Sequence, residues 1–362
     1  MDINLELVEK YLKNKTNHKD IHEDIQYESS ICLYDFFCLN NIETCEKIKE
    51  KYSLTNKYHI INSCSQITFG EVSEKNIHYN INHPNSHNNH NNPNNNHKYV
   101  LLQYNKIERL DFDDFFIKLA IPKLFIFHAL DSYEFLLNSL LDLEKINVCF
   151  FSLSSTNIIF TPNYKPMLRN FKTSLLLDKC SDIVYFSQMF DKIRDYTYKP
   201  IEIHVIFYLI KNNEDSLSFS AIGTICDNFV KNMSILSLFS QEYRENYYKT
   251  SMDCLKKYIN KPKLEIIAQI LMYSNTWDNY ELSILYLHIF GNITRTFLLK
   301  DTFINKLTNI LSKNIGPDPS KRETLTKSIE IFDELFYEFT DWDYIDEISK
   351  EKMEELYENL FE

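Results

Sequence analysis

Residues 147–160 read NVCFFSLSSTNIIF, an apolar run, then Ser152, Ser154, Ser155, Thr156 and Asn157 around a single Leu, then a second apolar run. Hydroxyls and an amide at this spacing can hydrogen-bond a substrate hydroxyl or a backbone. None can take up a proton at neutral pH, so Ser152 is no general base. Thirteen residues beyond Asn157 stand Asn170, Phe171 and Lys172, in which a neutral amide occupies a place where a carboxylate would hold a hard cation. An ordinary Ser/Thr turn between two strands fits the first stretch equally well, and the pattern alone leaves both readings open. A second group with chemical potential is NINHPNSHNNHNNPNNNHK (80–98), where His83, His87, His90 and His97 could gather a transition metal. The tract has nothing to orient the imidazoles, so no metal site is expected.

The elements that position these residues follow from periodicity. The 80–98 tract cannot bury enough apolar surface to offset its ordering entropy, and is expected to be a disordered, dispensable loop. SQITFGEV (65–72) before it and KYVLLQY (98–104) after it are strand-like and form a hairpin around it. NNIETCEKIKEKYSL (40–54) reads as a helix capped by Asn40 or Asn41, with Cys45, Ile48 and Tyr52 on one face. SYEFLLNSLLDLEKIN (132–147) repeats Phe135, Leu136, Leu140 and Leu143 at helical spacing, and TPNYKP (161–166) is a tight turn. From about 203 the pattern is helical as far as IGPDPSKRE (315–323).

Composition bounds the function classes. The 362 residues are 44% hydrophobic, enough for a sizeable core, and the net charge of −12 repels phosphates, so nucleic acid is not an expected partner. Eight scattered cysteines without a CxxC indicate neither a disulfide framework nor a zinc site. The N-terminal MDINLELVEKYLKNK lacks the apolar core of a signal peptide, and IEIHVIFYLI (201–210) is half a membrane span. No membrane association is expected, and an intracellular, cytoplasmic location is.

The order of helix, short strand, polar loop ending in Asn157, strand, tight hairpin, strand and an Asn-Phe pair resembles the catalytic segment of the protein kinases. In that family the loop reads H-R-D-x-x-x-x-N. With Asn157 as the Asn, the catalytic Asp falls on Ser152, the loop Lys on Ser154 and the His-Arg pair on Phe150 and Phe151. The family's D-F-G falls on Asn170, Phe171 and Lys172. YKPIE (198–202) is similar to the A-P-E that closes the activation segment, TWDNYELSILYL (276–287) to the central helix, and PDPSKR (317–322) to the turn that supplies an arginine. The resemblance implies that Asp278 holds the catalytic-loop backbone with Trp277 and Leu282 packed around it, and that Arg322 pairs with Glu202 in the core. It is nearest to divergent kinase-like proteins of large DNA viruses, which would place the chain in a host cytoplasm or a virion.

What the resemblance implies is an α+β, two-lobe protein-kinase-like fold. Residues 1–105 form a reduced N-lobe, 106–335 a mainly α-helical C-lobe with a helical insertion at 203–273, and 336–362 an acidic C-terminal helix. The chemistry is depleted: no base at Ser152, no metal carboxylate at Asn170, Lys172 where the family has a conformationally free Gly, and no Gly-rich phosphate loop among four dispersed glycines. Glu43 or Glu46 corresponds to the family's helix glutamate, or is merely solvated. The expected function is a pseudokinase that binds a protein partner, with no resident cofactor or metal and at most weak Mg-ATP binding. One alternative is a divergent active serine/threonine kinase that recruits Asp178 or Glu202. The other is an α-helical interaction protein unrelated to kinases.

Overall fold

The computed structural model describes residues 27–52, 56–67, 99–297, 299–339, 342–345 and 350–361. The 80–98 tract with its four histidines, and Gly70, lie outside the described residues.

Strands β1 (Tyr27–Leu33), β3 (Ile61–Ile67) and β4 (Tyr99–Asn105) make an antiparallel sheet in the order β1-β4-β3, with the short β2 (Tyr58–His59) just before β3. Of the expected hairpin flanks, Ser65–Ile67 and Tyr99–Leu101 pair antiparallel with Ile67 opposite Tyr99, in a strand that begins earlier, at Ile61; residues 68–72 and 98 lie outside the described residues. Val100, Leu101 and Leu102 of the central strand are all buried, as a strand covered on both faces requires. Helix α1 (Phe36–Lys51) crosses behind the sheet. It starts earlier than the Asn40 or Asn41 cap implied: the Asp35 carboxylate accepts the Cys38 N–H at 2.9 Å, and Asn40 and Asn41 are buried inside the helix. Cys45 and Ile48 lie in the core as their spacing requires.

A second sheet has the order β2-β8-β7-β5, from β5 (Leu110–Asp111), β7 (Ile158–Phe160) and β8 (Pro166–Arg169), and β6 (Val148–Cys149) pairs with β9 (Leu175–Leu176). Between β5 and β6 lie α2 (Phe112–Ile117) and α3 (Pro122–Glu144). The latter starts ten residues ahead of Ser132 because Pro122, with its fixed φ and missing N–H, suits a first helical turn. Phe115 stacks on Phe160 at 3.7 Å and pins α2 to the sheet.

The rest is helical: α4 (Ile183–Lys192), α5 (Ile201–Lys211), α6 (Phe219–Asn232), α7 (Gln241–Leu255), α8 (Lys263–Leu271), α9 (Trp277–Phe297), α10 (Phe303–Asn314), α11 (Leu325–Glu338) and α12 (Lys350–Phe361). Every residue from Trp277 to Ile284 is buried, so α9 is enclosed all round and forms the axis of this part. The 203–273 stretch packs on it through the 3₁₀ turn Ser234–Leu238. A Cβ at Gly291 would stand 2.9 Å from Leu238 Cδ1, and the Tyr247 hydroxyl donates to the Ile315 carbonyl at 2.7 Å. At the C-terminal end, 336–338 close α11, Asp343–Ile345 form a 3₁₀ turn and α12 spans Lys350–Phe361, so 336–362 is not a single acidic helix. The buried apolar residues form one continuous cluster from Cys38 to Leu356. The fold is mixed α+β, predominantly helical. Among the described residues no helix is long and apolar enough to cross a membrane.

Candidate functional site at the 150–173 loop

The loop is held from beneath by two carboxylates one turn apart on α9. Asp278 accepts the Phe150 N–H at 2.8 Å and the Phe151 N–H at 2.9 Å, with the Cys149 thiol donating at 3.4 Å. Glu281 accepts the Leu153 N–H at 2.8 Å through one oxygen and the Lys199 ammonium at 2.7 Å through the other. Lys199 also donates to the Phe151 carbonyl at 2.8 Å and lies 4.3 Å from the centre of its ring. The i, i+3 spacing puts both carboxylates on one helix face, and together with Lys199 they engage the backbone of Phe150, Phe151 and Leu153. Phe151 takes φ 51°, a conformation that costs a bulky residue ~1–3 kcal/mol and persists only where its surroundings over-determine it. Here a donor and an acceptor fix its peptide groups, while Phe190 and Trp277 pack on its ring.

Charges this deep are costly, and the titration behaviour reflects it. Burial pushes the Glu281 carboxyl up to about 7 against the pull of Lys199, and burial likewise raises Asp278 against its backbone donors. The Cys149 thiol, buried beside both carboxylates, is held well above its ordinary range.

On the opposite side of the loop the singled-out polar residues satisfy one another. The Asn157 amide donates to the Ser152 carbonyl and hydroxyl, both at 2.8 Å, and accepts from the Asn170 amide at 3.0 Å. Asn170 adopts φ 67°, a left-handed conformation that Asn tolerates better than most residues. This corrects the role given to Lys172: the positive φ belongs to Asn170, while Lys172 sits in a 3₁₀ turn, is exposed and needs no glycine-like freedom. Ser154 stands apart, its hydroxyl 2.9 Å from that of Thr156. Phe171 is buried between Phe150 and Tyr58. Behind it Asn40 donates to the Lys172 and Ser174 carbonyls at 3.1 and 2.8 Å and accepts from the Tyr185 hydroxyl at 3.0 Å, so this mid-helix amide fastens α1 to the 170–174 segment.

Glu202 and Arg322, 120 residues apart, form a bidentate ion pair at 2.6 and 3.0 Å with both side chains 1% exposed. The Trp277 indole donates to the same carboxylate at 3.2 Å. Arg322 also donates to the Gly316 carbonyl at 2.7 Å and stacks on Tyr280. A charge pair in the core persists when its remaining hydrogen-bonding capacity is filled in this way.

Asp178, the other acid named as a substitute, and Glu43 and Glu46, named for the helix glutamate, lie toward the surface. Asp178 pairs with Lys47 at 2.8 Å at the surface, Glu43 pairs with Lys179 at 2.5 Å, and Glu46 is exposed. Asp113, raised by partial burial, lies 3.4 Å from the Ser155 hydroxyl, and Arg169 ties Asp111 to the Thr156 carbonyl. Among the described residues no group of three or more His, Cys, Asp or Glu side chains could hold a metal ion. Sequence reasoning missed Lys199 and Glu281, and gave Asn40 a capping role in place of its bonds to the Lys172 and Ser174 carbonyls. A signal for Glu281 was present, since a Glu three residues after Asp278 in an otherwise apolar helix must find a partner. No protein-family model matches this chain, and no curated protein matches it.

Proposed function

We propose that the chain is a protein-kinase-like pseudokinase: a two-lobed scaffold that acts inside the cell by binding a protein partner and transfers no phosphate. One observation carries this reading. The backbone of Phe150–Leu153 is clamped to the central helix by Asp278, Glu281 and Lys199, yet Ser152, Asn157 and Asn170 are neutral and spend their hydrogen bonds on each other. Phosphoryl transfer needs a carboxylate to orient the substrate hydroxyl, a carboxylate and an amide for Mg²⁺, and a cation on the phosphates. A frame kept in place without those charges suits recognition better than catalysis.

An active kinase that relocated its acids is disfavoured. Both Glu202 oxygens are taken by Arg322, and Asp178 is committed to Lys47. The helical insertion is the first surface to test for a partner, since it departs most from the kinase frame and carries a shallow, open depression between α6 and α7 lined by Val230, Gln241, Arg244, Glu245, Tyr248 and Lys249.

The deciding experiment measures nucleotide binding with and without Mg²⁺, alongside transfer of labelled γ-phosphate to the chain itself and to a generic substrate. Weak or absent Mg²⁺-dependent binding and no transfer are expected. The combined substitution Ser152→Asp, Ser154→Lys and Asn170→Asp is expected not to create an efficient enzyme, because the phosphate cradle is missing as well. Transfer by the wild-type chain that Asn157→Ala or Asn170→Ala abolishes overturns the proposal.

A further inference from the structure

The corner between β1 and α1 brings two thiols together. Cys32, next to last in β1, and Cys38, in the first turn of α1, have their sulfurs 3.0 Å apart. That is inside the ~3.5–4.0 Å at which non-bonded heavy atoms ordinarily rest, and the remaining approach to a bond is small. The corner is fixed by Asp35, whose N–H donates to the Leu33 carbonyl at 2.9 Å and whose carboxylate caps the helix at Cys38. Other cysteines have different commitments: Cys149 to Asp278, Cys45 beside Asn41, Cys180 beside the Leu176 carbonyl. Cys64 is exposed on β3, across β4 from Cys32.

We propose that Cys32 and Cys38 are a redox modification site, closed to a disulfide by a hydroperoxide and reopened by a thiol reductant. Cys32 is the half-buried member and Cys38 the buried one, which makes Cys32 the attacking sulfur and Cys38 the resolving one. The hydrogen-bonding contact between the two sulfurs lowers the pKa of Cys32 and thereby favours its thiolate. The Cys32 thiolate attacks the O–O bond, giving a sulfenic acid and an alkoxide that takes up the proton Cys32 released. The Cys38 sulfur then attacks the sulfenic sulfur, and hydroxide leaves with the Cys38 proton as water. Two thiols and one hydroperoxide become one disulfide, one alcohol and one water. The bond would lock the start of α1 two residues before Asn40, which holds the Lys172 and Ser174 carbonyls, so the redox state reaches the 170–174 segment through a single helical turn.

The test exposes the reduced full chain to stoichiometric hydrogen peroxide, alkylates the remaining thiols and maps them by fragment-ion mass spectrometry, with the Cys64→Ser variant in parallel. The expected product is an intramolecular bridge between Cys32 and Cys38 in both proteins, with alkylation of Cys38 reduced about tenfold and restored by dithiothreitol. A bridge that includes Cys64, sulfinic acid at Cys32 with Cys38 still alkylated, or full alkylation of every cysteine overturns the proposal.

Discussion

The 150–157 loop and helix α1 are both tied to the remainder of the molecule by polar groups, but in contrasting ways. The loop is gripped by carboxylates and an ammonium that are almost wholly buried, Lys199 and Glu281 being 10% and 1% exposed. Helix α1 faces the same region through Lys47–Asp178 and Glu43–Lys179, which lie near the surface, and through one buried amide, Asn40. Exposed ion pairs contribute ~0–1 kcal/mol, whereas orphaning one member of a buried pair is strongly destabilising. The loop is therefore part of the helical core, and α1 meets the 170–174 segment through its apolar face and one buried amide, Asn40.

The sharpest way to break this contrast is Arg322→Met, which strands Glu202 in the core. A loss of ~3–5 kcal/mol is expected in chemical denaturation. Adding Glu202→Met should recover part of it, and a single variant as stable as wild type would remove the basis for calling the pair structural. Next, Asp278→Ala leaves the Phe150 and Phe151 N–H groups without an acceptor, at ~1–3 kcal/mol for each orphaned donor. Amide exchange at those two positions should accelerate, and unchanged protection would show that Asp278 is not what holds the loop.

Glu281 supplies a pH dependence. Its folded pKa, about 7, lies above the ordinary 4.5, so between these values the unfolded chain has released a proton that the folded chain retains. Its contribution is thus complete below pH 4.5 and is lost as pH rises through about 7. Denaturation midpoints across that range should fall more steeply for wild type than for Glu281→Gln; parallel curves would refute the shift. The smallest effects separate the two kinds of tie on α1. Asn40→Ala should cost ~1–3 kcal/mol by leaving buried carbonyls unpaired, while Lys179→Ala should stay within about 1 kcal/mol of wild type. Equal losses would erase the distinction.

Much of this frame is legible before folding. Glu202 with Arg322, and Asp278 with the loop backbone, follow from the resemblance of YKPIE, TWDNYEL and PDPSKR to kinase landmarks, and the strands around the 80–98 tract follow from their composition. Lys199 was hidden because a lysine beside a proline looks like any surface lysine, and only the packed structure reveals the carboxylate beneath it. Asn40 misled for a related reason: Asn favours caps when it must satisfy itself locally, and nothing in the local sequence reveals that carbonyls 132 and 134 positions away will satisfy it instead. The start of α1 shifted accordingly to Asp35, whose cap signal precedes an apolar rather than a polar turn. Lys172 was misjudged because the left-handed residue is Asn170, a conformational choice that no periodicity encodes.

The contacts of Tyr247 with the Ile315 carbonyl and of Leu238 with Gly291 bear on how the chain melts and how it tolerates trimming. Through them the 203–273 helices share a boundary with the turn that delivers Arg322 and with the axis helix itself. Excising those helices would bare the face of α9 around Gly291 and leave the Ile315 carbonyl without its donor, so what is left would be a damaged molecule rather than a minimal one. The stretch is not a detachable module, and heating should disassemble it and the surrounding helices as one cooperative unit, with no separate early transition.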